Sequence, residues 1–287
     1  MTSPENKPSA PIQLFSDYLR VTGVAHLDPE SSGIPELLGK RLGLINGSSW
    51  VTLWANYFGR QYLPGVHLVN VGNEAVQINF MEAHAQGLPC PPQANIDAFV
   101  RYANDLVDLA QVDAILITCS TMNRAYPQVE IALESKGVPV MQIDRPMMER
   151  AVENGGEVLV IATHGPTVDS TQSLLRETAA EMGASISYSG ANVEAAWDKL
   201  AKGDVIGHNQ DLADEIRSSL YRKSFGCVVL AQLSMTVFLL SYPDPMAEFG
   251  VPVYTSGQCG FERVRELLVS LPGKEDQSPS LGAQEVV

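Results

Sequence analysis

A cysteine and two hydroxyl residues close an apolar run: Ala114-Ile-Leu-Ile-Thr118 leads into Cys119, Ser120 and Thr121, followed by Met122, Asn123 and Arg124. Thiolate is the reactive form of cysteine, and the positive partial charge of a helix start stabilises it. Lowering the pKa by about two units from ~8.5 shifts the ionisation balance by about 2.7 kcal/mol, so this placement predicts a thiolate able to act as base, acid or nucleophile. Three further polar clusters end apolar runs in the same manner: Asn46-Gly-Ser48-Ser, Thr163-His164-Gly-Pro-Thr167 and Gln232-Leu-Ser234. Hydroxyls and free N–H groups beside helix starts suit a carboxylate or another small anion. Asn46, Ser48, Ser120, Thr121, Thr163, Thr167 and Ser234 are therefore candidate substrate-binding residues. His164 is a candidate proton carrier. Gln232 has no ionisation near neutral pH and is expected to orient a carboxylate or stabilise developing negative charge.

The other cysteines are placed differently. Cys227 begins an apolar run and is expected in the core, and Cys90 sits in the loop Leu-Pro-Cys-Pro-Pro. Cys259, shortly after the run Val251 to Thr255, is a secondary candidate for the same cleft. With no Cys-x-x-Cys, no His-Glu-x-x-His and five scattered histidines, no metal site is expected. No Gly-x-x-x-x-Gly-Lys-Ser/Thr or Gly-x-Gly-x-x-Gly occurs, so no nucleotide cofactor is expected, and the absence of Gly-x-Ser-x-Gly argues against a serine hydrolase elbow.

Such clusters need a scaffold that brings strand ends together. Short apolar runs, at 41–46, 66–71, 114–118, 138–143, 158–162, 185–187, 228–231 and 251–255, read as strands buried on both faces of parallel sheets. Helical spacing fills the gaps at 96–109, 147–153, 170–182 and 212–223, which predicts βαβ units of an α/β fold. An internal repeat sharpens this. Ile-Thr-Cys-Ser-Thr-Met at 117–122 aligns with Leu-Ala-Gln-Leu-Ser-Met at 230–235, and Gly-Val-Pro-Val at 137–140 recurs at 250–253, both at an offset of 113 residues. Two copies of one α/β unit are implied. In open parallel sheets ligands bind beyond the carboxyl ends of the strands, where all four polar clusters fall.

Composition narrows the partners. The 287 residues are 45% hydrophobic and only 18% charged, against about 25% in an average globular protein, which excludes global disorder. A net charge of −14 repels phosphate backbones and anionic lipid, so neither nucleic acid nor a membrane surface is an expected partner. The opening residues lack a cationic segment followed by an apolar stretch, which predicts a cytoplasmic protein. The run Cys227 to Tyr242 is interrupted by Gln232, Ser234, Thr236 and Ser241 and is expected to be a core strand running into a helix.

The chain resembles the aspartate/glutamate racemase superfamily, which includes hydantoin racemase, arylmalonate decarboxylase and maleate isomerase relatives. The resemblance covers roughly residues 41 to 268 and rests on Cys119-Ser-Thr121, Pro139-Val-Met-Gln-Ile-Asp144 with Met-Met-Glu-Arg-Ala-Val following, Ala162-Thr-His-Gly-Pro-Thr167 and Leu230-Ala-Gln-Leu-Ser-Met235. It implies two Rossmann-like lobes related by a pseudo-twofold, with the active site in the interlobe cleft. The expected division is an N-terminal arm (1–33), a first lobe (34–146, with a returning helix 258–271), a second lobe (147–257) and a disordered tail (272–287). Family racemases carry a cysteine in each half, and the second position here is Gln232. An amide cannot return a proton, so the resemblance implies a single-cysteine isomerase or lyase acting without cofactor on a small carboxylate, hydantoin or related carbonyl compound. A racemase with His164 or Cys259 as second acid, and a non-catalytic metabolite-binding module, are the alternatives. A homo-oligomer is the expected assembly.

Overall fold

The computed structural model describes residues 10–22 and 34–272. The rest of the expected N-terminal arm, and the expected tail beyond Pro272, lie outside the described residues. Helix α1 (Ala10–Thr22) lies within the expected arm. Then follow β1 (Arg41–Asn46), α2 (Ser49–Tyr62), β2 (His67–Gly72), α3 (Glu74–Ala85), α4 (Gln93–Ala110), β3 (Ala114–Ile117), α5 (Tyr126–Leu133) and β4 (Val140–Gln142). Helix α6 (Arg145–Asn154) connects to β5 (Glu157–Ala162), α7 (Gly165–Glu181), β6 (Ser187–Asn192), α8 (Glu194–Ala201), α9 (Val205–Arg222) and β7 (Cys227–Leu230). The last elements are α10 (Phe238–Ser241), α11 (Pro245–Phe249), β8 (Val253–Thr255) and α12 (Ser256–Ser270).

The strands form two parallel sheets of one topology, β2-β1-β3-β4 and β6-β5-β7-β8. The offset read from the sequence reappears in the fold, because β3 and β7, and β4 and β8, stand 113 residues apart. The repeated Gly-Val-Pro-Val has a local cause as well. Gly137 and Gly250 end helical segments with φ of 65° and 72°, a conformation that costs glycine little, and the chain then extends into the fourth strand of each sheet. The central strands β1, β3, β5 and β7 are almost entirely buried, as helices covering both faces of a parallel sheet require. The run from Cys227 becomes β7, a 3₁₀ turn at 233–237 and α10. Among the described residues no helix is long and apolar enough to cross a membrane.

The edge strand β6 departs from the sequence reading, which placed it at 185–187. Its residues Ser-Tyr-Ser-Gly-Ala-Asn are half-exposed and carry little apolar signal, so pairing with β5 rather than composition makes it a strand. Helices α2, α3 and α8 fall outside the helical stretches read from the sequence.

The lobes pack reciprocally. α2, which follows the first strand of one lobe, packs on the 3₁₀ turn 233–237 of the other, and α7 packs on the 3₁₀ turn 120–125. One apolar cluster spans the seam, joining Leu42, Leu44 and Phe58 to Leu233, Val237 and Phe261. The chain's final described helix, α12, packs on both α2 and α6, and its end is tied to the first lobe by Lys40 Nζ, which donates to the carbonyls of Leu271 and Pro272 at 2.9 and 2.6 Å.

Candidate active site

Cys119 occupies the position before the 3₁₀ turn 120–125, at the carboxyl end of β3. Its Sγ lies 3.3 Å from Thr121 Oγ1 and faces the backbone amides of Thr121 and Met122. A methyl group added at Gly47, at the end of β1, would sit 2.5 Å from this sulfur, so the absence of a side chain there makes room for the thiol. The expectation of a lowered pKa is overturned. Cys119 is only 6% exposed and packs with Ile45, Val76, Phe80 and Met122. Burial pushes the thiol up, the Asp144 carboxylate adds to this, and the nearby hydroxyl and amides offset only part. At rest this is a neutral thiol.

Asp144 ends the β4 segment of lobe 1 and was not assigned a role by the sequence. It is 2% exposed, Asn123 Nδ2 donates to its Oδ2 at 2.9 Å, and its Oδ1 has no hydrogen-bond partner among the described residues. Burial raises its pKa to about 6, and the adjacent Asn123 amide and the Ser120 and Ser256 hydroxyls favour the ionised form without satisfying Oδ1. A buried acid closing a strand, five residues after the Gly-Val-Pro-Val segment begins to extend, was the available signal.

The corresponding corner of the second lobe is built differently. Thr163 donates to Gln232 Oε1 twice, through its backbone N–H and its hydroxyl, both at 2.8 Å. Because the backbone N–H must find an acceptor, the amide orientation is fixed and Nε2 remains the available donor. His164 follows, half-buried, its ring 4.6 Å from that of Trp197, which meets Trp50 of the first lobe at 5.6 Å. Burial lowers the His164 pKa while Glu194 opposes the shift, so the imidazole is neutral at pH 7.

The remaining predicted residues divide. Asn46 is committed internally: Thr118 Oγ1 donates to its Oδ1 at 2.6 Å and its Nδ2 donates to Asn70 Oδ1 at 3.0 Å, which ties it to the fold rather than to a ligand. Ser48 is buried at the start of α2 with no side-chain capping bond. Thr167 is buried in the first turn of α7, and Ser234 in the turn 233–237. Cys259 is placed elsewhere: it is fully buried in the second lobe's core beside Met147 and Met148, 3.7 Å from Arg150, with a pKa pushed up to about 11 by burial, so it cannot serve as a second cleft acid. Ser120 and Thr121 also line a cavity of about 790 Å³ that opens between the first lobe and α7. No hydrogen bond among the described residues joins the Cys119 group to the Gln232 group.

A model of the Asp/Glu/Hydantoin racemase family matches residues 80–264. No curated protein sequence matches the chain. Among solved structures, the allantoin racemase of Klebsiella pneumoniae is similar at 18% identity and a TM-score of 0.56, over 84% of this chain and 97% of that one. An aspartate racemase homologue from Pyrococcus horikoshii is similar at 16% identity and a TM-score of 0.60, over 80% and 99%. The glutamate racemase of Francisella tularensis, solved with D-glutamate, is similar at 19% identity and a TM-score of 0.55, over 80% and 81%. With the family model covering more than half of the residues and the two-lobe fold in common, the chain belongs to the Asp/Glu/Hydantoin racemase family and is an enzyme of isomerase lineage.

Proposed function

We propose that this protein is a cofactor-independent, cysteine-based isomerase or lyase that acts on a carbon acid, a small carboxylate or a cyclic amide of the hydantoin kind. The observation that carries the reading is the asymmetry between equivalent corners. Cys119 has room and a nearby buried carboxyl, whereas Gln232 is an amide pinned by Thr163. One thiol can give or take a proton on one face of a planar intermediate; the other face meets a group that can only hydrogen-bond.

In this reading Ser120 and Thr121 hold the anionic end of the substrate, with Ser48, Thr167 and Ser234 as further hydroxyls. Gln232 Nε2 donates to the oxygen on which negative charge develops. The resting thiol is neutral, so Cys119 serves directly as proton donor, or as nucleophile once its proton has passed to a neighbouring base. Asp144, mostly ionised above pH 6, is the buried base nearest in electrostatic reach. A racemase outcome is the second reading, favoured by the neutral imidazole of His164 immediately after Thr163.

Solvent deuterium incorporation, followed by mass spectrometry across small carboxylates and hydantoins, tests this. Incorporation with a single stereochemical outcome is expected. Equal amounts of both enantiomers would assign a second acid and favour His164. Incorporation undiminished in Cys119→Ala would remove the cysteine from the chemistry.

A further inference from the structure

The cavity beside Ser120 and Thr121 is too large and too unevenly charged to be the seat of a four-carbon acid. Its 790 Å³ falls in the range that buries a drug-sized ligand. In a 3₁₀ turn residues three apart eclipse, so Arg124 shares the face of Thr121, and both line the cavity. The wall also carries Phe80, Tyr126, Met141 and Leu174, apolar surface that a simple acid would leave wet.

Charge accounting gives the sign of what fits. Arg145 is held by Glu149 at 3.2 Å and by Glu181 at 2.6 Å, Arg263 by Glu149 at 3.0 Å and by Glu266 at 3.2 Å, and Arg124 lies 3.7 Å from Glu177 across the seam. Every guanidinium of the wall has a carboxylate. Asp169, in the second turn of α7, has no cation partner among the described residues. The wall therefore holds an excess carboxylate, inside a chain whose net charge is −14.

We propose that the substrate carries, beyond its reacting carboxylate or carbonyl end, an extended distal group ending in a cation, which enters this cavity with Asp169 as its counter-charge. The proposal rests on the reading of Ser120 and Thr121 as the seat of the reacting end. Asp169 is exposed, so its contribution to discrimination is about three- to fivefold rather than several decades.

The test uses three carboxylates that differ only at the far end, glutarate, pentanoate and 5-aminopentanoate, titrated calorimetrically into the full-length protein. 5-Aminopentanoate is expected to bind about three- to fivefold more tightly than pentanoate, and glutarate more weakly than both. Asp169→Asn should erase the cation preference, and high salt should shrink it. Arg124→Gln, which leaves Glu177 without its partner, should widen it. Glutarate binding as tightly as 5-aminopentanoate, an order unchanged by Asp169→Asn, or no binding by any of the three at tens of millimolar would overturn the proposal. Cys119→Ala separates this from the chemistry: binding order retained with turnover lost supports both readings, and binding order retained with turnover intact supports the cavity while removing the thiol.

Discussion

The carboxyl ends of β3 and β7 are equivalent in the fold and opposite in chemistry. In the first lobe the strand ends on Cys119, whose sulfur fills the space left by Gly47 and sits near the incompletely satisfied carboxyl of Asp144. In the second it ends on Gln232, whose oxygen takes two hydrogen bonds from Thr163. The strands beneath differ as well. Asn46 in β1 belongs to an amide chain running through Asn70 to Asn56, with links of 3.0 and 2.7 Å, whereas the β5 end is the buried Ala162. One scaffold thus keeps a titratable corner and one whose amide oxygen is pinned by two hydrogen bonds. Buried groups left unsatisfied cost stability and often mark functional sites; in the proposed mechanism the first lobe carries proton traffic and the second stabilises charge.

The largest effect should come from deleting the feature that only the first lobe has. Cys119→Ala, and Cys119→Ser, should lower kcat by at least ~10³ with the fold retained by circular dichroism, because neither replacement supplies an acid in the thiol range. Gly47→Ala, whose added methyl would lie 2.5 Å from the sulfur, should displace the sulfur and lower kcat/KM by roughly one to two decades, with destabilisation of about 1–3 kcal/mol by denaturant titration. Thr163→Val unpins Gln232 by removing the hydroxyl donor while keeping the backbone one. It should cost about 1–2 kcal/mol of transition-state stabilisation, read from kcat/KM, and leave stability nearly unmoved. Wild-type kinetics in that variant would detach the second corner from the reaction.

Asp144 sharpens the contrast through pH. Its folded-state pKa is raised to about 6 from 3.8, so the native state binds the proton more tightly than the unfolded chain. The resulting stabilisation is complete below pH 3.8 and is lost as pH rises through about 6, above which the buried carboxylate is a liability. Asp144→Asn should therefore raise stability at pH 7, on the order of 1–2 kcal/mol, and shift Tm upward. The same variant should lose the acid limb near pH 6 from the kcat/KM profile. A stabilised variant that keeps that limb would leave Asp144 with a structural role alone.

The smallest effect is expected from His208. It is 1% exposed, its Nδ1 lies 3.0 Å from the Ala196 carbonyl oxygen, its Nε2 has no hydrogen-bond partner among the described residues, and burial lowers its pKa. Below the unfolded value of about 6.5 the unfolded chain takes up a proton that the native state refuses, so stability falls as pH drops. His208→Gln should flatten that acid loss without affecting kinetics.

Much of the scaffold was legible because its cause is local. Buried parallel strands must be apolar on both faces, so β1, β3, β5 and β7 announce themselves, and Gly137 and Gly250 repeat because each chain reversal needs a left-handed residue. β6 was misplaced because an edge strand built from serine, glycine and asparagine owes its state to its neighbour β5. The same division runs through the site. Residue type and strand-end position marked Cys119, Thr163 and Gln232, since the reach of a thiol, a hydroxyl and an amide is set by covalent structure. Tertiary packing alone decided that the thiol is neutral, that Asn46 is spent on Thr118 and Asn70, that Cys259 is core, and that Asp144 lies within electrostatic reach of Cys119. A pKa measures the free energy of a charge in its surroundings, and those surroundings are assembled from segments far apart in the chain. The sequence by itself therefore determined which groups stand at the ends of the strands, while burial and the company brought by the other elements decided their protonation and their partners.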